Sequence, residues 1–150
     1  MKIFSYKIKR PIIYLSLGLF ILSLTRPALV LETGSVLQSD QSFLYFIIGG
    51  IAIAGGGTME FLVWLANPLY FIALFLSFKN KRISIFFIII ANILAISFSR
   101  WKEILISESG STGKIISFCS GYYLWIASMF VLLFAIIYQL IKNSLSFRME

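Results

Sequence analysis

Five stretches of the chain are apolar and free of charge, and they decide its predicted architecture. A helix needs about 20 apolar residues to cross a bilayer, with a range of about 17–25. Phe61–Phe78 and Ile83–Ser99 reach this range with 18 and 17 residues, and the last stretch reaches 21 if it begins at Gly121. The pattern therefore predicts membrane-spanning helices. The full set is Pro11–Thr25, Phe43–Met59, Phe61–Phe78, Ile83–Ser99 and Ile115–Ile141.

The first stretch is short, at 15 residues, and follows a basic N-terminus with Lys2, Lys7, Lys9 and Arg10. A start of this kind is typical of a secretory signal peptide. The tripeptide after Leu24, Thr25-Arg26-Pro27, lacks the small residues of a cleavage site. We therefore expect a retained first helix, with Pro11 in the first turn that proline favours.

The number of spans depends on whether Phe43–Gly57 crosses the membrane. The positive-inside rule places an excess of Lys and Arg in cytoplasmic loops. With four spans and an inside N-terminus, nine basic residues lie inside and four outside, whereas five spans give seven and six. The charge count therefore favours four spans with both termini in the cytoplasm. Their predicted bounds are about 11–26, 60–78, 83–99 and 120–141.

Phe43–Gly57 then becomes an apolar segment on the outer side that does not cross. Its five glycines weaken a lone spanning helix. The segment is predicted either to lie in the outer interface or to re-enter the helix bundle, where protein surrounds its backbone. The small residues Gly50 and Ala54, and likewise Ala52 and Gly56, are spaced for close helix contact.

The fold class expected from this layout is all-α. Residues 1–150 form a single transmembrane domain, a bundle of four transmembrane helices with one extra glycine-rich outer segment. The predicted outer loops are Pro27–Ser42 and Trp101–Ser120. Glu103–Ser107 and Lys114–Phe118 are placed to form a short hairpin, but their alternation of apolar and polar residues is weak.

Composition agrees with lipid as the solvent. The chain is 59% hydrophobic and 13% charged, with a mean hydropathy of +0.94, against about 25% charged residues in ordinary soluble domains. Its net charge of +7 is explained by basic residues that flank spans. We therefore expect the lipid bilayer, and either another membrane protein or further copies of this chain, as partners, and no nucleic acid.

Histidine is absent and cysteine occurs once. Histidine-ligated haem, His-based zinc sites, Ser-His-Asp triads and iron–sulfur clusters all need residues that this chain lacks. We therefore expect no catalytic residue, no metal and no cofactor.

A few polar and aromatic residues in or beside the spans are candidates for interaction or structure. Glu60 lies at the outer mouth of the second span, where it complements a helix N-terminus; the alternatives are a partner for Arg26 or Arg100, or a ligand contact. Tyr122 and Tyr123 open the last span, as an interfacial aromatic belt or as an outward recognition patch.

Two amides lie inside the spans. Asn67 precedes Pro68 in the second span, and Asn92 lies in the third. Each is roughly 15 Å from the cytoplasmic turn at about 1.5 Å per residue, so adjacent antiparallel helices bring the two to one level. We therefore predict a hydrogen bond between Asn67 and Asn92 that aligns the helices.

Two strings of the sequence resemble uncharacterised small four-helix bacterial inner-membrane proteins. The first string is Glu60-Phe61 followed by Trp64-Leu65-Ala66-Asn67-Pro68-Leu69, and the second is Gly121-Tyr122-Tyr123-Leu124-Trp125-Ile126-Ala127-Ser128-Met129. The resemblance covers most of the chain. It implies a bacterial inner-membrane location and a four-span layout with an outer segment, and it transfers no activity and no site residues.

Three functions are open at this stage. The leading one is a non-enzymatic accessory, assembly or immunity-type subunit of a larger membrane complex. The alternative is a small oligomeric transporter or channel, which requires Asn67, Asn92, Ser97 and Ser128 to converge on a water-filled path. The third is an enzyme acting on lipid, for which Glu60 with Tyr122 or Tyr123 is the one conceivable set.

Overall fold

The computed structural model describes residues 9–79, 82–107 and 110–148. Lys2, Lys7 and Lys81, which enter the count of basic residues, lie outside the described residues. The fold is mixed: it is 69% helical and also holds a four-stranded antiparallel sheet. In chain order the elements are α1 (Lys9–Leu24), β1 (Pro27–Thr33), β2 (Val36–Gln41), α2 (Ser42–Ile48), a 3-10 helix (Gly49–Gly55), α3 (Thr58–Trp64), α4 (Ala66–Phe78), α5 (Ser84–Ser97), a 3-10 turn (Phe98–Arg100), β3 (Glu103–Leu105), β4 (Thr112–Phe118) and α6 (Ser120–Arg148).

The sheet has the strand order β2-β1-β4-β3, with every neighbouring pair antiparallel. β1 and β2 form a hairpin across Gly34 and Ser35, and β3 and β4 form a second one. β1 joins the hairpins by pairing with β4, with Leu29 opposite Phe118 and Glu32 opposite Lys114. The two predicted outer loops therefore make one sheet.

The two faces of the sheet differ in polarity. Its inner face carries a small apolar core of Ala28, Leu29, Leu31 and Ile104, with Tyr45, Phe98, Ile115 and Phe118 packed against it. On the other face Lys114 and Glu32 form an ion pair at 3.8 Å. One face is therefore covered by the helical part of the chain and the other is open, which antiparallel sheets permit.

The prediction of an all-α fold is wrong because of this sheet. β1 contains the unbroken apolar run Ala28–Leu31, and β3 has only three residues, so neither shows the period-two pattern of a half-buried strand. What stabilises the strands is pairing between segments more than 80 residues apart, as between Leu29 and Phe118. A local pattern does not contain that information.

The prediction of a bundle of four transmembrane helices is also wrong. Helices occupy all four stretches, but in the described part of the chain only Thr58–Phe78 and Ser120–Ile141 are long and apolar enough to cross a membrane. Pro11–Leu24 and Ser84–Arg100 fall short of that length. The first helix ends at Leu24 because Pro27 opens β1 and restricts the residue before it to extended backbone.

The helices pack through small residues. Buried positions include Ala66, Ala73, Ala91 and Ala95, which let neighbouring backbones approach closely. A polar link joins three helices: the Tyr70 hydroxyl donates to Ser16 Oγ at 2.8 Å, and Ser16 donates to the Ser128 carbonyl at 2.7 Å. α1, α4 and α6 are thereby fixed to one another.

The glycine-rich stretch is helical and packs against α3. Trp64 Nε1 donates to the Phe46 carbonyl at 2.8 Å. The Trp64 ring also covers Gly49 so closely that a Cβ there would meet Trp64 Cδ1 at 2.5 Å. We call Ser42–Gly55 the outer segment, and it does not reach spanning length. Its residues Gly49 and Gly50 lie against the indole ring of Trp64.

Candidate functional site

A cavity of about 490 Å³ lies where the sheet meets the ends of the helices. Its roof is the inner face of the sheet, with Leu29 and Leu31 of β1 and Gln38 and Asp40 of β2. The outer segment forms one wall, and the starts of α3 and α6 form the floor. We call it the outer cavity. Its size is in the range of about 300–1,000 Å³ that is usual for ligand sites.

Three of the seven candidate residues line this cavity: Glu60, Asn67 and Tyr122. Asn92 is buried among the helices, 4% exposed and away from the lining. Arg26, Arg100 and Tyr123 are exposed and also lie outside the lining. The structure therefore brings the phenol of Tyr122 to an acid and an amide that lie close to each other in an earlier helical region.

Glu60 covers one edge of the sheet. It lies in the first turn of α3, as predicted from its place in the sequence. Its Oε1 accepts a hydrogen bond from the Leu105 N–H at 2.9 Å. Because Leu105 belongs to the edge strand β3, the carboxylate blocks a donor that another strand would use. Among the described residues Glu60 forms no ion pair with Arg26 or Arg100.

Asn67 supplies a hydrogen bond that Pro68 cannot make. Proline has no N–H to bond the carbonyl four residues back, which is that of Trp64. Asn67 Nδ2 donates to this carbonyl at 3.1 Å. Its Oδ1 accepts from Trp125 Nε1 at 2.8 Å, so the amide also connects α4 to α6. Trp125 is thereby held in place at the cavity wall.

The predicted bond between Asn67 and Asn92 does not form. Asn92 Nδ2 donates to the Ile88 carbonyl at 2.8 Å within its own helix, and lies 3.5 Å from the Met129 carbonyl of α6. Its Oδ1 has no hydrogen-bond partner among the described residues. Although α4 and α5 pack against each other, Asn67 bonds to Trp125 of α6 and Asn92 points toward Met129 of the same helix.

The two tyrosines of the last span have different surroundings. Tyr122 is 4% exposed, and its hydroxyl donates to the Ala95 carbonyl at 3.0 Å. Tyr123 is 61% exposed. Glu60 and Tyr122 both line the cavity, and in the described part of the chain they share no hydrogen bond: Glu60 bonds to Leu105 and Tyr122 to Ala95.

Sequence reasoning missed a polar cluster around Asp40 on the roof of the cavity. Asp40 Oδ2 accepts from the Tyr45 hydroxyl at 2.9 Å, and Oδ1 accepts from Gln38 Nε2 at 2.8 Å. Burial of the phenol, reinforced by this bond and by the nearby charge, raises the pKa of Tyr45 well above its ordinary value. The available signal was the spacing of Gln38 and Asp40, which are two residues apart and share one strand face.

The two outer edges of the sheet differ in exposure. Glu60 covers the β3 edge, whereas β2 is bonded to β1 alone among the described strands. Val36 and Leu37 on β2 are 62% and 65% exposed. Along an antiparallel ladder, pairs of residues that bond to each other alternate with pairs that do not. In a two-residue hairpin the closing pair is bonded, and here that pair is Thr33 and Val36. The backbone groups of Leu37 and Ser39 therefore point outward.

Comparison of the chain with protein-family models, with curated proteins and with solved structures gives no match. The function must therefore be inferred from the residues and geometry described above.

Proposed function

We propose that this chain is a non-enzymatic integral membrane protein that acts as an accessory subunit of a larger membrane complex. The observation that carries the proposal is the free edge of β2. An unpaired, exposed strand edge is a template for an extended segment of another chain. The partner contributes main-chain hydrogen bonds to Leu37 and Ser39, and the exposed Val36 and Leu37 side chains add apolar contact.

Membrane insertion is supported by the distribution of residue sizes. The buried positions between helices include many Ala and Ser, such as Ala91 and Ser128, while many of the large apolar side chains are exposed. Phe75, Phe86 and Phe134 are 57%, 59% and 66% exposed. Only 28% and 33% of the two long helices' apolar windows are buried, whereas the core helix of a soluble protein is mostly buried. Lipid tails accommodate such a surface; water does not.

The orientation in the membrane follows from charge. The strands connect to the helix ends at Leu24, Arg100 and Ser120, so one end of the helical part carries the sheet. Four basic residues belong to that end: Arg26, Arg100, Lys102 and Lys114. Among the described residues, six belong to the other end: Lys9, Arg10, Lys79, Arg82, Lys142 and Arg148. We therefore propose a multi-pass protein of a bacterial inner membrane, with cytoplasmic termini and an outer sheet.

The transporter or channel alternative receives less support from the geometry. It needs Asn67, Asn92, Ser97 and Ser128 on one path. Ser97 is exposed and donates to the Leu94 carbonyl, while Ser128 is buried and donates to the Trp125 carbonyl. These hydroxyls satisfy backbone carbonyls of their own helices. Of the four residues, Asn67 alone is in the lining of the outer cavity.

The test is affinity purification in mild detergent followed by mass spectrometry, comparing the natural chain with Ser39→Pro. Proline at position 39 removes an outward N–H and leaves the bonds between β1 and β2 intact. We expect a stoichiometric heteromeric partner with the natural chain and at least a tenfold lower yield with the variant. Ser39→Ala keeps the N–H and is the matched control.

A second variant protects the test against a folding defect. Leu37→Lys leaves the backbone unchanged and places a charge at the same edge, a substitution that hinders strand addition. It should also reduce recovery of the partner while the melting temperature in detergent stays near that of the natural chain. If both variants recover as much of the partner as the natural chain does, the partner does not bind at the β2 edge. A pure homo-oligomer that conducts or transports in liposomes contradicts the accessory function itself.

A further inference from the structure

We infer that the outer cavity binds the ammonium group and the upper chain of an amine-headed amphiphile. The inference goes beyond partner binding and rests on other residues: the cavity lies behind the sheet, whereas the proposed partner site is the sheet edge. The two share the membrane setting and strand β2, but the cavity uses Gln38 and Asp40 and the edge uses Leu37 and Ser39. Charge, aromatic walls and access each support this class of ligand.

The charge of the cavity lining is negative. Asp40 and Glu60 are its two carboxylates, and no Lys or Arg is among the residues that line it. The hydrogen-bond donors to these carboxylates are neutral: Tyr45 and Gln38 for Asp40, and the Leu105 N–H for Glu60. A carboxylate accepts about four hydrogen bonds. Both groups therefore retain acceptor capacity for a cationic donor.

The walls of the cavity are rich in aromatic rings. Six line it: Tyr45, Phe46, Trp64, Phe98, Tyr122 and Trp125. The indole N–H groups of Trp64 and Trp125 are already bonded to the Phe46 carbonyl and to Asn67 Oδ1. What these two side chains offer to a ligand is thus ring surface. Aromatic faces beside carboxylates attract ammonium groups through cation–π interaction.

The apolar part of the ligand follows from the outer segment. Leu44 and Ile48 of this segment line the cavity. The same segment exposes Phe43, Ile47 and Ile51, at 53%, 55% and 67%. An apolar surface that continues from the cavity wall to the outside gives an alkyl chain a route from the bilayer. A volume of about 490 Å³ holds a head group with part of one chain rather than a whole two-chain lipid.

The binding test uses the purified full-length chain in a neutral maltoside detergent, titrated with dodecylamine. Dodecanol has the same chain without the charge, and ethylamine has the charge without the chain. We expect saturable quenching of tryptophan fluorescence with dodecylamine and at least tenfold weaker responses with dodecanol and ethylamine. Ethylamine that binds as well as dodecylamine would show a small-amine site instead and overturn the inference.

Isosteric variants connect the binding to the two carboxylates. Asp40→Asn and Glu60→Gln keep acceptors for Tyr45 and Leu105 but remove the charge. Each should weaken dodecylamine binding on the order of tenfold. Glu32→Gln, on the opposite face of the sheet beside Lys114, is the matched control and should bind normally. Unchanged binding in both cavity variants contradicts the inference.

Lipid supplies the second arm and needs no variant. The chain is reconstituted in nanodiscs of equal phosphatidylethanolamine and phosphatidylglycerol, then released for native mass spectrometry. We expect retained phosphatidylethanolamine to exceed phosphatidylglycerol several-fold, which assigns the ammonium group to a lipid. Dodecylamine binding with equal retention of the two lipids assigns it to a free amphiphilic amine. Preferential retention of phosphatidylglycerol overturns the assignment of an ammonium site.

Discussion

At the scale of single residues, the two buried amides have opposite energetic roles. Asn67 accepts from Trp125 Nε1 and donates to the carbonyl freed by Pro68, whereas Asn92 Oδ1 has no partner among the described residues. A buried donor left without its partner costs about 1–3 kcal/mol, while removing an unsatisfied polar atom costs little. The hydrogen bonds of each amide, and not its depth within the helices, therefore decide how much it contributes to the free energy of unfolding.

Asn67→Leu should therefore destabilise the protein by about 1–3 kcal/mol, because it leaves Trp125 Nε1 and the Trp64 carbonyl unpaired. Asn92→Leu, its matched control, should be neutral or slightly stabilising. The measurement is a pair of thermal melts in detergent. Equal losses in melting temperature for the two variants would contradict this account of the amides.

The phenol of Tyr45 gives the protein a dependence on alkaline pH. Burial, together with the bond to Asp40, raises its pKa above the ordinary value of 10.0. Above that pH the unfolded chain releases the proton and the folded chain keeps it. Stability therefore falls as the pH rises.

Tyr45→Phe removes this dependence. Between pH 9 and pH 11 the melting temperature of the natural chain should fall more than that of the variant. The control is Tyr123→Phe, at an exposed tyrosine, which should follow the natural chain. Parallel pH curves for the natural chain and Tyr45→Phe would contradict the origin of the effect in Tyr45.

At the scale of elements, the helices could be predicted, whereas of the strands only the hairpin of Glu103–Ser107 with Lys114–Phe118 was indicated, and it forms with Glu103 opposite Lys114. Long apolar runs without charge mark a helix locally, and helices occur at 58–78, 84–97 and 120–148 close to the predicted places. The strands depend on partners distant in the chain. β2 is polar and exposed along most of its length, so its sequence resembles a loop until β1 lies beside it.

The docking of the outer segment can be tested at one glycine. A Cβ at Gly49 would meet Trp64 Cδ1 at 2.5 Å, near the base of a side chain already fixed by its bond to Phe46. Gly49→Ala should destabilise the protein by about 1–3 kcal/mol through overpacking and should speed proteolysis within the outer segment.

Gly18→Ala is the matched control for this substitution. Gly18 lies in α1 with nothing within 4 Å of an added Cβ. Alanine there should be neutral or stabilise the helix by up to about 1 kcal/mol. If the melting temperature and the rate of proteolysis were the same for Gly49→Ala and Gly18→Ala, the contact between Gly49 and the Trp64 indole would not stabilise the outer segment.

At the scale of the whole molecule, the outer cavity could not be predicted because its lining comes from distant parts of the chain. Ser23, Asp40, Glu60 and Trp125 meet only after the sheet closes over the helix ends. Glu60 and Tyr122 could be singled out at span ends, and Asn67 as an amide within a span. Their joint position depends on the sheet, which local sequence did not indicate.

The central claim is that the helical part lies in the membrane with the sheet on its outer side. Two single-cysteine chains in a Cys119→Ser background test it directly. Ser35→Cys lies in the exposed β1–β2 hairpin loop. Asn80→Cys lies between Lys79 and Arg82 in sequence, outside the described residues, and changes no charge.

The measurement is labelling of both chains with a membrane-impermeant maleimide, in intact and in permeabilised spheroplasts. The account predicts that Ser35→Cys is labelled in intact spheroplasts and that Asn80→Cys is labelled only after permeabilisation. Equal labelling of both positions in intact spheroplasts, or the reverse order, would contradict a membrane protein with an outer sheet.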